Sequence, residues 1–110
     1  MRSSLSWAGG ALMLTVLAMP TGAAEDVAAG LLLVEANCAG CHAIGLEGLS
    51  PLPEAPPFRE LHQRYDVEFL SEALVEGITT AHEAMPAFVF SPDEAAAIVV
   101  YLKSLEPVAN

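Results

Sequence analysis

The stretch Cys38-Ala39-Gly40-Cys41-His42 constrains the fold more than any other part of the chain. Cys38 and Cys41 are the only cysteines in 110 residues, and an imidazole follows the second directly. Cys-x-x-Cys-His is the spacing at which two thiols bond the two vinyl groups of one haem while the next residue turns its ring nitrogen to the iron. Any fold built on it must close around a large, flat, apolar group. Three other chemistries compete for the pair. A thioredoxin-like redox pair needs βαβ surroundings, and a structural zinc site needs four ligands where this motif offers at most three. A plain structural disulfide stays open in an exported protein. None of the three uses His42 at its position, so haem attachment is the favoured reading.

The N-terminal flank supplies the export that such chemistry needs. Residues 1–24 carry a single positive charge at Arg2, an apolar run from Trp7 to Met19, and then Pro20-Thr21-Gly22-Ala23-Ala24, with small residues where a signal peptidase cuts. They read as a secretory signal, leaving residues 25–110 as one small domain. An uncleaved membrane anchor is the competing reading, but a bilayer needs roughly 20 apolar residues, and this run is shorter. Cleavage after Ala24 removes the only Trp and leaves fourteen carboxylates against Arg59, Arg64 and Lys103, a formal charge of −11. Phosphates would repel such a chain, which excludes nucleic acid as a partner. The charge favours partners with basic patches, and its plain alternative is a well-solvated surface. A mature chain this short buries limited apolar surface, and a covalently held ring would add to it.

Val27 to Ala36 has no proline, is rich in Ala and Leu, and follows Glu25-Asp26, acids that suit a helix N-terminus. Val27, Gly30, Leu31 and Val34 fall on one side at helical spacing, so a core-facing helix should run into Cys38. Gly30 is costly there, by about 1 kcal/mol relative to Ala; either it is merely tolerated or another helix comes close. From Ala43 to Phe58 the prolines 51, 53, 56 and 57 and the glycines 45 and 48 exclude regular structure. Leu46, Leu49, Leu52 and Phe58 make this wrapping loop too apolar for a free linker, and the haem is the surface it should face.

A short helix is expected over Phe58–Tyr65, and a clearer one from Asp66 as N-cap to Glu76, stopped by Gly77. Its expected core stripe is Phe69, Leu70, Ala73 and Leu74. Ile78 to Phe90, which includes His82-Glu83-Ala84-Met85-Pro86, reads as a loop. Ser91-Pro92-Asp93-Glu94 then announces a last helix, with Ser at the N-cap, Pro at the first position and Glu at N3 to complete a capping box. It should reach Leu105 and bury Ile98, Tyr101, Leu102 and Leu105. There is no alternating strand pattern, internal repeat or second domain.

If His42 is the proximal ligand through Nε2, its Nδ1–H needs an acceptor, which a carbonyl of the proline loop can provide. The opposite side of the iron needs a further group, with Met85, His82 and His62 as candidates. A thioether suits iron(II) and raises the reduction potential, as an electron carrier requires, and Pro86 would stiffen the backbone beside Met85. The plain alternative is Met85 as core filler among Ala87, Phe88 and Phe90.

The motif after a helix, Met85-Pro86 some forty residues later, and a closing helix with Tyr101-Leu102 resemble a class I c-type cytochrome of the small bacterial kind. The resemblance spans essentially all of residues 25–110. It implies an all-α small cytochrome c fold of three to five helices wrapped around one covalent haem c, with the first and last helices crossing. It further implies thioether bonds at Cys38 and Cys41, iron ligation by His42 and Met85, and a crossing at Gly30 against the Ile98 and Tyr101 face. The proline whose carbonyl receives the His42 N–H is assigned first to Pro57 and then to Pro56. Family members often bond a haem propionate with Trp or Tyr; here Tyr65, Arg59 or Arg64 would have to substitute. The lysine ring of mitochondrial members is replaced by acidic residues, so their partner does not transfer.

On this resemblance the chain is expected to be a periplasmic one-electron carrier and not an enzyme. It would meet redox partners that present basic docking surfaces, touch membranes only by transient docking to respiratory complexes, and exist as a monomer or complex subunit. Three alternatives remain: a dedicated electron-accepting subunit of a periplasmic dehydrogenase or oxidase, a haem sensor or peroxidase-like enzyme that leaves the sixth position open, and a haem-free exported binding module with one disulfide.

Overall fold

A computed structural model describes residues 3–6, 8–16, 22–77 and 84–108. The described residues before Gly22 are exposed and form no regular element. Three α-helices follow, α1 (Gly22–Asn37), α2 (Leu70–Glu76) and α3 (Pro92–Ser104), with two short 3₁₀ helices at Phe58–Gln63 and Val67–Phe69. No strand occurs among the described residues, and the fold is all-α. No helix among them is long and apolar enough to cross a membrane.

α1 starts five residues earlier than Val27, because nothing in Gly22-Ala23-Ala24 breaks a helix. The expected cleavage point after Ala24 therefore falls in its first turn. At the other end the Asn37 side chain donates to the Leu33 carbonyl (2.8 Å), and the Cys38 and Ala39 amides donate to Val34 O (2.8 and 3.0 Å). These bonds satisfy carbonyls that a helix end leaves without partners and deliver the chain into the cysteine motif.

The packing of α1 against α3 is the main helix contact of the fold. Val34 is fully buried, and Gly30 is buried beside Tyr101 and Ala97. A Cβ on Gly30 would lie 2.6 Å from the Tyr101 Cβ and closer to the Ala97 carbonyl oxygen. Close approach, rather than tolerance, explains this glycine. From α3 the buried face is Ala95, Ile98, Val99, Tyr101 and Leu102, continued by Leu105. The expected capping box is complete: Glu94 N donates to Ser91 Oγ (3.2 Å) and Ser91 N donates to Glu94 Oε1 (3.0 Å).

Asp66 caps the middle segment, its carboxylate accepting from Glu68 N (3.0 Å), and Gly77 ends α2 with a φ of 97°. The expected stripe needs one correction. Leu74 is buried and Leu70 packs on the core, but Phe69 is 78% exposed and fully buried Val67 takes the inward position. The segment begins as a 3₁₀ helix, whose tighter winding of 3.0 residues per turn changes which side chain faces in.

Candidate functional site

After α1 the chain turns tightly. The Cys41 and His42 amides both donate to Cys38 O (3.2 and 3.0 Å), so the two thiols and the imidazole share one turn. Both cysteines are free thiols and both are partly exposed, so the disulfide reading is not realised. Burial pushes the Cys38 thiol up to about 11, which keeps it neutral around pH 7. No group of three or more His, Cys, Asp and Glu residues is placed to hold a metal ion among the described residues.

His42 is fixed from two sides. Its Nδ1 lies 2.8 Å from the Pro56 carbonyl oxygen. A carbonyl can only accept, so this contact requires the proton on Nδ1 and leaves the Nε2 lone pair free for a metal. The ring also packs on Phe58, with centroids 4.7 Å apart and planes tilted by 36°. Assignment of the acceptor to Pro57 is thereby corrected to Pro56. Pro57 opens the 3₁₀ helix with ψ of 138°, and its carbonyl is taken by Glu60 N at 3.0 Å.

The proline loop is tied to the motif along its length. Ala43 N donates to Ser50 Oγ (3.0 Å), Leu52 N to Cys41 O (3.0 Å) and Phe58 N to Ala43 O (2.9 Å). The Tyr101 hydroxyl donates to the Ile44 carbonyl, which joins α3 to the loop two residues past His42. Sequence reasoning did not find that bond, although a tyrosine in a buried stripe always needs a partner for its hydroxyl. Of Leu46, Leu49, Leu52 and Phe58 only Phe58 is buried; Leu52 is half-buried, and Leu46 and Leu49 are 67% and 92% exposed.

Met85 is half-buried in a turn and followed by exposed Pro86. The segment beyond is anchored where Phe90 N donates to Leu74 O at the end of α2 (2.9 Å) and where Phe88 stacks on Phe90 at 5.9 Å. His82 lies outside the described residues. His62 lies on the first 3₁₀ helix and lines a groove with Tyr65, Asp66 and Lys103. Arg59 keeps one guanidinium nitrogen buried without a hydrogen-bond partner, whereas Arg64 and Tyr65 are exposed.

These residues fit a haem. Two thiols and a lone pair on Nε2 share one turn, the tautomer is fixed by Pro56, and apolar side chains flank the motif. An all-α fold carrying that turn between its crossing first and last helices defines a c-type cytochrome.

A sequence profile of the family described as cytochrome c oxidase, cbb3-type, subunit III, matches residues 25–102. The chain is also 33% identical over 97 residues to cytochrome c-552 of Bradyrhizobium diazoefficiens, an alignment covering 87% of this chain and 91% of that protein. No solved structure matches the chain. The chain belongs to this family of c-type cytochromes, its cofactor is covalently bound haem c, and the family's work is electron transfer.

Proposed function

We propose that the protein is an exported monohaem electron carrier whose iron is held between His42 and Met85. The observation that carries this reading is the bond from His42 Nδ1 to Pro56 O, which leaves the Nε2 lone pair free to bind a metal. When bound, the haem supplies a one-electron Fe(III)/Fe(II) couple. The chain's own residues do the rest. Cys38 and Cys41 would provide the thioether links, Pro56 and Phe58 hold the His42 ring, and Met85 would be the second iron ligand, in a segment anchored by the bond from Phe90 N to Leu74 O. Arg59 is the favoured partner for a propionate, since its buried nitrogen lacks any other acceptor. A fully ligated iron excludes oxygen and substrates, which makes the protein a carrier and not an enzyme.

Residues 1–24 act as the export signal and the mature protein starts at Glu25 in the periplasm. With fourteen carboxylates and three cations on the mature chain, its redox partners present basic surfaces. The oxidase-subunit description of the matching family favours a second reading, in which the protein is the electron-accepting subunit of a larger complex. Size-exclusion chromatography of the native protein separates the two, since only a free carrier elutes alone.

A visible and near-infrared spectrum of both redox states tests the ligands. The expected result is a sulfur-to-iron charge-transfer band in the oxidised protein, lost in Met85→Ala together with a fall in potential. An unchanged spectrum in that variant would move the ligand role elsewhere, and ready binding of carbon monoxide by the ferrous protein at neutral pH would refute the carrier reading.

A further inference from the structure

A groove of about 430 Å³ runs along the outer side of α2, between Glu68, Phe69, Glu72, Val75, Glu76 and Pro92 at the start of α3. None of these residues belongs to the cysteine motif or to the Met85 turn. Its lining combines apolar Phe69, Val75 and Pro92 with three carboxylates. Phe69 is 78% exposed, a position that the fold does not require, because Val67 already fills the inward site. Three carboxylates line the same groove at successive steps of four residues, a spacing at which like charges destabilise one another. Lys103 pairs with Glu68 at 3.0 Å, and no other ion pair occurs among the described residues, so Glu72 and Glu76 stand without a cation. An exposed aromatic side chain in a groove lined by carboxylates is complementary to a segment presenting an apolar side chain between cations.

We infer that this groove is a docking surface for a cationic partner protein, which inserts an apolar side chain against Phe69 while its Lys or Arg residues meet Glu72 and Glu76. A second copy of the chain is a poor occupant, because it brings the same negative charge. The surface is separate from the haem-attachment turn, yet it lies on elements that hold the Met85 segment: Pro92 follows that segment directly, and Leu74 O anchors it through Phe90 N. The inference rests on the reading that partners are basic, but not on which residue is the sixth ligand.

The test is amide chemical-shift mapping on the mature holoprotein with the pentapeptide Lys-Lys-Phe-Lys-Lys, and with the same peptide carrying Ala at its centre. Saturable shifts are expected at Glu68, Phe69, Glu72, Val75 and Glu76, with weaker binding of the Ala peptide. The double variant Glu72→Lys/Glu76→Lys should bind about tenfold more weakly, and Phe69→Ser should lose the preference for Phe over Ala. A Glu-Glu-Phe-Glu-Glu peptide should then bind the double variant and not the wild type, which guards against a trivial loss of fold. Shifts centred on Ala43–Ser50, or equal losses in a Glu25→Lys/Asp26→Lys control, would overturn the assignment of the groove while leaving a basic partner in place. Absence of binding anywhere would overturn both. Concentration-dependent shifts in the same groove without peptide would make it a self-interface and overturn the cationic occupant.

Discussion

Gly30 of α1 lies against Tyr101 of α3 so closely that a Cβ on the glycine would come within 2.6 Å of the Tyr101 Cβ, with the Ala97 carbonyl oxygen nearer still. The two helices that carry the core thus touch backbone to backbone. A backbone carbonyl cannot swing aside as a side-chain tip can, so any larger residue must force the helices apart. Gly30→Ala gains about 1 kcal/mol of helix propensity and incurs overpacking of about 3 kcal/mol. We expect a net loss of about 2 kcal/mol in denaturant unfolding, and a larger one for Gly30→Val. An unchanged midpoint for Gly30→Ala would show that the crossing can relax.

Tyr101 is also the group through which alkaline pH should reach the fold. Burial raises its pKa above the ordinary tyrosine value, and the Glu35 carboxylate adds to the shift. A raised folded-state pKa favours the neutral phenol, so the associated stability is present below about pH 10, the unfolded value, and is lost as pH rises through the folded value. Tyr101→Phe removes the bond to Ile44 O and should cost about 1 kcal/mol at pH 7. It should also flatten the fall in stability above pH 10. If wild type and variant decline in parallel there, Tyr101 is not the responsible group.

Phe58 supports the His42 ring and belongs to the core, so Phe58→Ala should cost about 3 kcal/mol. Phe58→Leu should recover much of that stability but not the ring-to-ring contact. The discriminating measurement is the His42 ring resonance in the holoprotein. It should shift in both variants, whereas stability should separate them.

Ser91 and Glu94 start α3 directly after the Met85 segment. Ser91→Ala removes a helix cap worth about 1 kcal/mol, and for a domain of this size the midpoint of thermal unfolding should fall by about 5 °C. Faster amide exchange at Glu94, whose N–H loses its acceptor, is the local signature. Equal exchange in variant and wild type would mean that water replaces the cap without cost.

The mature N-terminus is measurable by intact-mass analysis of the exported, haem-loaded protein. The expected chain begins at Glu25, which trims α1 by its first three residues. A mass that includes residues 1–24 would instead favour the anchor.

Most of the framework was legible because it rests on short-range chemistry. The capping box at Ser91-Pro92-Asp93-Glu94, the cap at Asp66 and the stop at Gly77 each depend on a few neighbouring residues, and each occurs as expected. The inward face of α1 was readable from its spacing. What was not legible depends on torsions and on distant partners. Choosing between Pro56 and Pro57 requires knowing which carbonyl the 3₁₀ helix consumes, and both are prolines. The outward turn of Phe69 follows from a change in helical winding that apolar periodicity does not encode. The bond from Tyr101 to Ile44 spans 57 residues, beyond the reach of any local pattern.

The loop between His42 and Phe58 is bound at its two ends, by the imidazole on Pro56 O and by Phe58 N on Ala43 O, while its tip around Leu46–Leu49 is exposed and Gly48 turns with a φ of 94°. Because closing a longer loop adds entropy only slowly, residues inserted at that tip should leave the base untouched. The tip can therefore vary in length and composition from one relative to another, like an interchangeable fitting on a fixed mount, without moving the imidazole that Pro56 O holds.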